Sequence, residues 1–253
     1  MDVEKYFYKR RDEDGAVFSA LLDPGSTTPK DSAFKAKMAQ EAGADVILVG
    51  GSVGAGGSIL DEAVKAIKES VTIPVVLFPG NINGISKYAD AIYFLTLLNT
   101  ENSYWSVEVQ TLLAPFIAQF GIQAIPTSYI VLEPGGTVGW VGKVRPVPRN
   151  RFDIAVACAL AGKYIGSHFV ITDSGSGAPE PPTNEFISKI KEALGDIFYI
   201  YGGGIRTSEQ AARMITAGAD SVQVGNAFEK SAHPKEYLTQ MIAAVRKAGR
   251  AKL

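Results

Sequence analysis

Three short loops hold the residues best suited to chemistry. Asp173-Ser174-Gly175-Ser176-Gly177-Ala178-Pro179 follows one apolar run, Gly202-Gly203-Gly204-Ile205-Arg206-Thr207 a second, and Gly225-Asn226 a third. Glycine lets the backbone approach an anion closely, and the N–H groups of such turns and helix starts form a phosphate cradle. Any one of these loops alone reads equally well as a tight turn; three in succession point to phosphate. Asp173 opens the first loop, where a carboxylate can take a proton from a hydroxyl of a bound phosphorylated ligand. Its plainer alternative is a turn or helix-cap aspartate.

Two earlier loops carry oxygen ligands: Leu22-Asp23-Pro24 and Gly50-Gly51-Ser52. Asp23 suits a Mg2+ ion that bridges it to phosphate oxygens, since Mg2+ commonly uses one or two carboxylates plus substrate and water. Here too a turn cap is the alternative. Tyr129 and Glu133 are placed either to line the same opening or to serve as core and rim. Cys158, inside the apolar run from Ile154 to Leu160, reads as a small core residue, and neither His168 nor His233 has a triad partner suggested by sequence.

These loops need a frame. Eight apolar, β-branched runs of strand length recur: Ala16 to Leu22, Asp45 to Val49, Pro74 to Phe78, Ala91 to Leu95, Ile122 to Leu132 (interrupted near Pro126), Phe169 to Thr172, Ile197 to Tyr201 and Ser221 to Val224. Runs apolar on both faces belong to a parallel sheet covered by helices. Helical patterns fill most gaps. From Pro29 to Ala42 the spacing of Phe34, Met38 and Ala42 predicts one apolar stripe, and Pro234 to Val245 repeats the pattern through Leu238, Met241 and Val245. Gly43, Gly121, Gly162 and Gly218 stand where helices should stop. The stretch from Gly80 to Asp90 is too short, and too rich in Gly and Asn, for a full crossover helix. The pattern predicts an α/β fold, a single (β/α)8 barrel domain with its third helix reduced or replaced; an open doubly wound sheet is the runner-up. In such a barrel the site lies at the carboxyl ends of the strands, where all the loops above fall.

Composition narrows the chemistry. With 253 residues, 46% of them hydrophobic, the chain can bury one large core. Lys and Arg number 25 against 26 Asp and Glu, so nothing electrostatic favours nucleic acid or a polybasic membrane clamp. One cysteine excludes an internal disulfide, and with only two histidines thiolate and imidazole metal sites are disfavoured. Glycine, at 26 residues, exceeds the usual share of about 7%, and the surplus gathers in the loops above. Gly54-Ala55-Gly56 is followed by Ile59 rather than a third glycine, and no Walker loop occurs, so nicotinamide and nucleoside triphosphate chemistry are disfavoured. The amino terminus shows no signal-peptide pattern and no long apolar run follows, which predicts a cytoplasmic protein.

From about Ala16 to Glu229 the chain resembles the archaeal geranylgeranylglyceryl phosphate synthases, related to bacterial heptaprenylglyceryl phosphate synthases. The resemblance is carried by Leu22-Asp23-Pro24, Val49-Gly50-Gly51-Ser52, Leu77-Phe78-Pro79-Gly80, the run from Val131 to Gly142, Gly175-Ser176-Gly177-Ala178-Pro179-Glu180 and Tyr201-Gly202-Gly203-Gly204-Ile205-Arg206. It implies that sn-glycerol 1-phosphate and geranylgeranyl diphosphate are joined by an ether bond, with release of diphosphate, in archaeal membrane lipid synthesis. It also implies a modified barrel with a replaced third helix, a Mg2+ cofactor bound by Asp23 and Ser52, and a homo-oligomer, dimer or hexamer. Glycerol phosphate is then held by Ile171, Thr172, Asp173, Ser174, Gly175, Ser176 and Gly177, with Gly202, Gly203, Gly225 and Asn226. The chain departs from the pattern at one place: where the family commonly reads Tyr-Leu-Glu-Ala-Gly-Ser-Gly-Ala, it has Ile171-Thr172-Asp173-Ser174-Gly175-Ser176-Gly177-Ala178. The carboxylate is retained, one methylene shorter. Asp173 then reaches the glycerol hydroxyl directly, through water, or with help from Tyr129.

The resemblance gives Asp23 a part in diphosphate departure and Asp173 that of proton acceptor. The prenyl chain needs an apolar groove, expected beside the missing helix near Gly84, Tyr88, Tyr93 and Tyr104, which are otherwise packing residues. Trp105 and Trp140 are expected as anchors between subunits. The rival readings are a longer-chain heptaprenylglyceryl phosphate synthase, a phosphate-binding barrel isomerase or lyase, and a non-catalytic prenyl phosphate carrier.

Overall fold

The structure, a computed structural model, describes residues 1–51, 54, 56–229 and 231–253, without the side chains of Asn226 and Glu229. Eight parallel strands close into a barrel in sequence order. They are β1 (Val17–Leu22), β2 (Val46–Val49), β3 (Val75–Leu77), β4 (Ala91–Leu97), β5 (Gln123–Val131), β6 (Phe169–Asp173), β7 (Phe198–Gly202) and β8 (Ser221–Val224). The helices are α1 (Val3–Asp14), α2 (Pro29–Glu41), α3 (Gly57–Ser70), α4 (Val109–Phe120), α5 (Gly136–Val141), α6 (Phe152–Tyr164), α7 (Asn184–Leu194), α8 (Ser208–Thr216), α9 (Asn226–Glu229) and α10 (Pro234–Arg250). The (β/α)8 expectation therefore holds. Strand β8 closes on β1 with Val17 opposite Ser221 and Ser19 opposite Gln223.

No helix joins β3 to β4 among the described residues. At that seam the ladder is short: only Val76 with Ala91 and Leu77 with Ile92 are paired, against seven pairs between β4 and β5. Asp90 reinforces the seam by accepting from the Val75 N–H (2.8 Å) while Lys68 of α3 holds both of its oxygens at 2.8 Å.

Side chains divide into two apolar layers, one inside the barrel and one between strands and helices. The far end of the barrel is plugged by α1, whose Asp2 cap accepts from the Lys5 N–H. Phe7 of this helix is fully buried, with ring centroids 5.1 Å from Phe169 and 5.5 Å from Phe198. His168 sits at this same end, paired with Glu4 at 2.9 Å and remote from the strand ends that carry the loops.

Three local expectations are corrected. Met38 is buried as expected, but Phe34 is 69% exposed, because α2 buries Ser32, Ala36 and Ala39 beside Met38. Small side chains carry almost no hydrophobic signal, yet they form the face that packs on α3. Pro126 does not interrupt β5: its carbonyl accepts from the His168 N–H (2.8 Å), and the N–H it lacks would face the stretch before β6 begins. Gly162 does not stop a helix but lies within α6, where a Cβ would come within 2.6 Å of Ser128 Oγ; the close approach of α6 to β5 needs it.

Truncating the plug tests its weight. Phe7→Ala should destabilise the fold by about 3–5 kcal/mol in urea denaturation, the usual range for emptying a buried aromatic site. A loss below about 1 kcal/mol would show that α1 is dispensable to the barrel.

Candidate active site

The loops predicted from sequence meet at one end of the barrel around an open cavity. Its wall includes Gly50 and Gly51 after β2, Tyr129 of β5, Asp173 with Gly175, Ser176 and Gly177, then Gly203, Gly204 and Arg206 after β7, and Gln223 and Gly225 at β8. Of the run from Ile171 to Gly177 only the last residues of β6 and its loop reach this space. Strand alternation places Ile171 on the same inward face as Asp173 and turns the side chains of Thr172 and Ser174 to the other. Ile171 points into the barrel interior, Thr172 bonds to Tyr199 Oη at 2.7 Å on the helix side, and Ser174 bonds to Tyr201 Oη at 3.1 Å. Gly202 sits just behind the wall, and Asn226 begins α9 beside it.

Asp173 is the buried charge of the mouth. One oxygen, Oδ1, accepts from the Gly175 N–H at 2.6 Å; the other accepts from Tyr129 Oη at 3.1 Å and from Gln223 Nε2 at 3.3 Å. Burial raises its pKa above the ordinary carboxylate value, while these three donors pull it back down. The Tyr129 hydroxyl is pushed far up, first by burial and then by the Asp173 charge, so it stays protonated and donates. Space beside the carboxylate is kept by glycine. Gly203 has a φ of +85°, and a Cβ there would lie 2.7 Å from Asp173 Oδ1. Glu133, by contrast, is exposed on the rim and accepts from the Arg149 N–H.

The loops after β6 and β7 are tied together by Arg206, whose guanidinium donates to the carbonyls of Pro179 and Gly177, at 2.5 and 3.3 Å. Tyr237 of α10 donates to the Arg206 carbonyl at 2.7 Å. Arg206 and Gln223 are wall residues that sequence reasoning missed as site residues; Gln223 was visible only as a polar residue in an apolar strand.

Asp23 stands at the end of β1 and caps a short turn, accepting from the Gly25 N–H at 2.9 Å. The carboxylate is backed directly by Gly51, where a Cβ would fall 2.6 Å from Oδ1, so the missing side chain keeps room against both oxygens. An oxygen donor with space beside it fits Mg2+. Ser52, the other expected ligand, lies outside the described residues. Among the described residues no cluster of three or more His, Cys, Asp or Glu gathers to hold a metal.

A second, apolar cavity opens where the helix after β3 is missing. Ile92, Tyr93 and Leu95 of β4, Val109 and Leu113 of α4, and Trp105 line it. Tyr93 is thus placed as expected for a prenyl groove, whereas Gly84, Tyr88 and Tyr104 are not on its wall. Trp105, expected between subunits, is a cavity wall residue here; Trp140 is 84% exposed. The two cavities share Pro79, Gly80, Tyr129 and Val138. Tyr129, which holds Asp173, therefore stands where the apolar space meets the polar one.

A sequence model of the PcrB family matches residues 9–249. The chain belongs to the PcrB family. Among relatives of this PcrB chain, the geranylgeranylglyceryl phosphate synthase of Methanothrix thermoacetophila is 43% identical over 243 residues, 96% of this chain and 95% of that one. The enzyme of the same name from Thermococcus kodakarensis is 47% identical over 229 residues, 90% of each chain. The crystal structure of (S)-3-O-geranylgeranylglyceryl phosphate synthase from Thermoplasma acidophilum, in complex with its substrate sn-glycerol-1-phosphate, superposes with a TM-score of 0.93 at 37% identity. That match covers 98% of this chain and 99% of the other. A thiamine phosphate pyrophosphorylase from Pyrococcus furiosus, at 15% identity and a TM-score of 0.62, shares the barrel alone.

The buried Asp173 has a measurable consequence for the fold of this PcrB protein. Its folded pKa is raised, so its contribution to stability is fullest below the unfolded value and falls as pH rises through the folded value. Asp173→Asn should therefore raise the thermal unfolding midpoint at neutral pH, with the gain shrinking toward about pH 4. A midpoint lowered at neutral pH would contradict a carboxylate held at the expense of stability.

Proposed function

We infer that the chain is a prenyltransferase that joins sn-glycerol 1-phosphate to geranylgeranyl diphosphate, giving 3-O-geranylgeranylglyceryl phosphate and diphosphate. The single observation that carries this reading is the junction of the two cavities at Tyr129 and Asp173. A polar mouth ringed by glycine loops suits glycerol phosphate, and the apolar cavity suits the prenyl chain. The names of the family relatives support the same activity.

The glycerol C3 oxygen forms a bond to C1 of the prenyl group as the bond from C1 to the diphosphate oxygen breaks. The hydroxyl proton passes to Asp173. Oxygen Oδ2 already accepts two protein hydrogen bonds, whereas Oδ1 accepts one and faces the room kept by Gly203, so Oδ1 is the proton-accepting atom. Gly175, Ser176 and Gly177, with Gly203 and Gly225, bind the phosphate and fix the acceptor. Tyr129 orients Asp173 at the junction of the two cavities. Asp23, with Ser52 as the resemblance implies, would hold a Mg2+ ion, which when bound would supply charge neutralisation for the departing diphosphate.

No helix among the described residues is long and apolar enough to cross a membrane. We take the protein to be a cytoplasmic homo-oligomer, dimer or hexamer, that meets the membrane peripherally to release its lipid product; a light-scattering mass decides the assembly.

Incubation with Mg2+, sn-glycerol 1-phosphate and farnesyl, geranylgeranyl or heptaprenyl diphosphate, with products identified by mass, tests the reaction and the chain length together. The geranylgeranyl ether should dominate; phosphate substrates returned unchanged would overturn the reading. Asp173→Asn should lower turnover about 10²- to 10⁴-fold while the fold is kept. Asp23→Asn should abolish transfer but leave glycerol phosphate binding, read by calorimetry, largely intact; equal loss of both would sink the metal assignment.

A further inference from the structure

We propose that Gln223 is a positioning residue for the transfer, its side-chain amide holding the Asp173 carboxylate in the orientation and charge state that accept the glycerol proton. The inference rests on the reading of Asp173 as proton acceptor given under Proposed function.

The strand register sets up the contact. Asp173 pairs with Gly202 across β6 and β7, and Gly202 pairs with Gln223 across β7 and β8. Asp173 and Gln223 thus lie at one level of the barrel with a single residue between them. That residue is glycine, and a Cβ on it would stand 2.6 Å from Gln223 Nε2 and 3.0 Å from Asp173 Oδ2. The missing side chain is what lets the amide reach over β7 to the carboxylate, at 3.3 Å.

The orientation of the amide follows from the charge. An ionised carboxylate only accepts, so the NH2 end of Gln223 must face it. The other end, Oε1, is buried without a hydrogen-bond partner among the described residues. No cation contacts the Asp173 carboxylate among the described residues. The titratable groups around it are Tyr129 from β5 and Tyr201 from β7, both with raised pKa values. Arg206 lines the same mouth but spends its guanidinium on the carbonyls of Gly177, Pro179 and Gly204. Neutral donors alone hold the charge against burial, and Gln223 supplies one of three.

Gln223→Met keeps the length and removes the hydrogen bond. Its turnover at neutral pH should fall about tenfold, with the KM for glycerol 1-phosphate moving less than kcat. The acid limb of the pH profile should shift upward by about one unit, so that alkaline pH restores part of the activity. A profile superposable on that of the unsubstituted protein, or a loss independent of pH, overturns the proposal. A second measurement needs no variant: in the unsubstituted protein the Gln223 side-chain NH2, followed by 15N NMR, should titrate at the midpoint of the acid limb. A resonance that does not titrate overturns the proposal even if the methionine variant fails to fold. Failure of the unsubstituted protein to make the ether would remove the proposed function instead, and leaves the NMR titration readable on its own.

Discussion

A carboxylate taken out of water, with no counter-cation among the described residues, is the constraint on which the site is built. Burial disfavours the charged form of Asp173, and the barrel answers with neutral donors from three directions: a loop N–H, a tyrosine hydroxyl and a glutamine amide. Each requirement fixes another part of the structure. Asp173 must be the last residue of β6, pointing inward; β5 must bring Tyr129 to the same level; β7 must pass between Asp173 and Gln223 as glycine. The glycines at 202 and 203 therefore do two jobs. They leave backbone open to an anion, and they clear the space in which the carboxylate meets its donors and its substrate.

The absent helix after β3 explains the rest of the site. Removing one crossover exposes the inner flank of α4 and β4, and the apolar residues there line a cavity instead of packing against a neighbour. The ladder is shortest at the same seam, with Lys68 and Asp90 holding it from the side. The barrel gives up packing where a long apolar substrate needs to lie, and Tyr129 stands where that space meets the phosphate mouth.

Much of this was legible in the sequence because it depends on short, local patterns. Eight β-branched runs announced eight strands, and the Gly80 to Asp90 stretch was visibly too short for a helix. The glycine loops and Asp173 lie at strand ends, so the barrel alone brought them together. What was not legible depends on which face of an element is turned inward. The spacing of Phe34, Met38 and Ala42 puts the stripe of α2 in the wrong place at Phe34, though not at Met38, because small residues carry little hydrophobic signal although Ser32, Ala36 and Ala39 share the buried face. Thr172 and Ser174 share a segment with Asp173, but alternation turns their side chains to the helix side. Helix ends favour glycine, so Gly162 reads as a stop in the sequence, and only the neighbouring strand β5 reveals that it is a contact. Gln223 carries no motif; its meaning appears only when three neighbouring strands are seen side by side.

The central claim is that transfer occurs at the junction beside Tyr129, between a polar mouth and an apolar cavity. A crystal structure of the protein with glycerol 1-phosphate and an unreactive thiodiphosphate analogue of the prenyl donor tests it most directly. The glycerol C3 hydroxyl should lie within hydrogen-bond reach of Asp173 Oδ1, with the prenyl tail running past Tyr129 along Leu113 and Trp105. A tail lying outside that cavity, or a hydroxyl turned away from Asp173, would contradict the account.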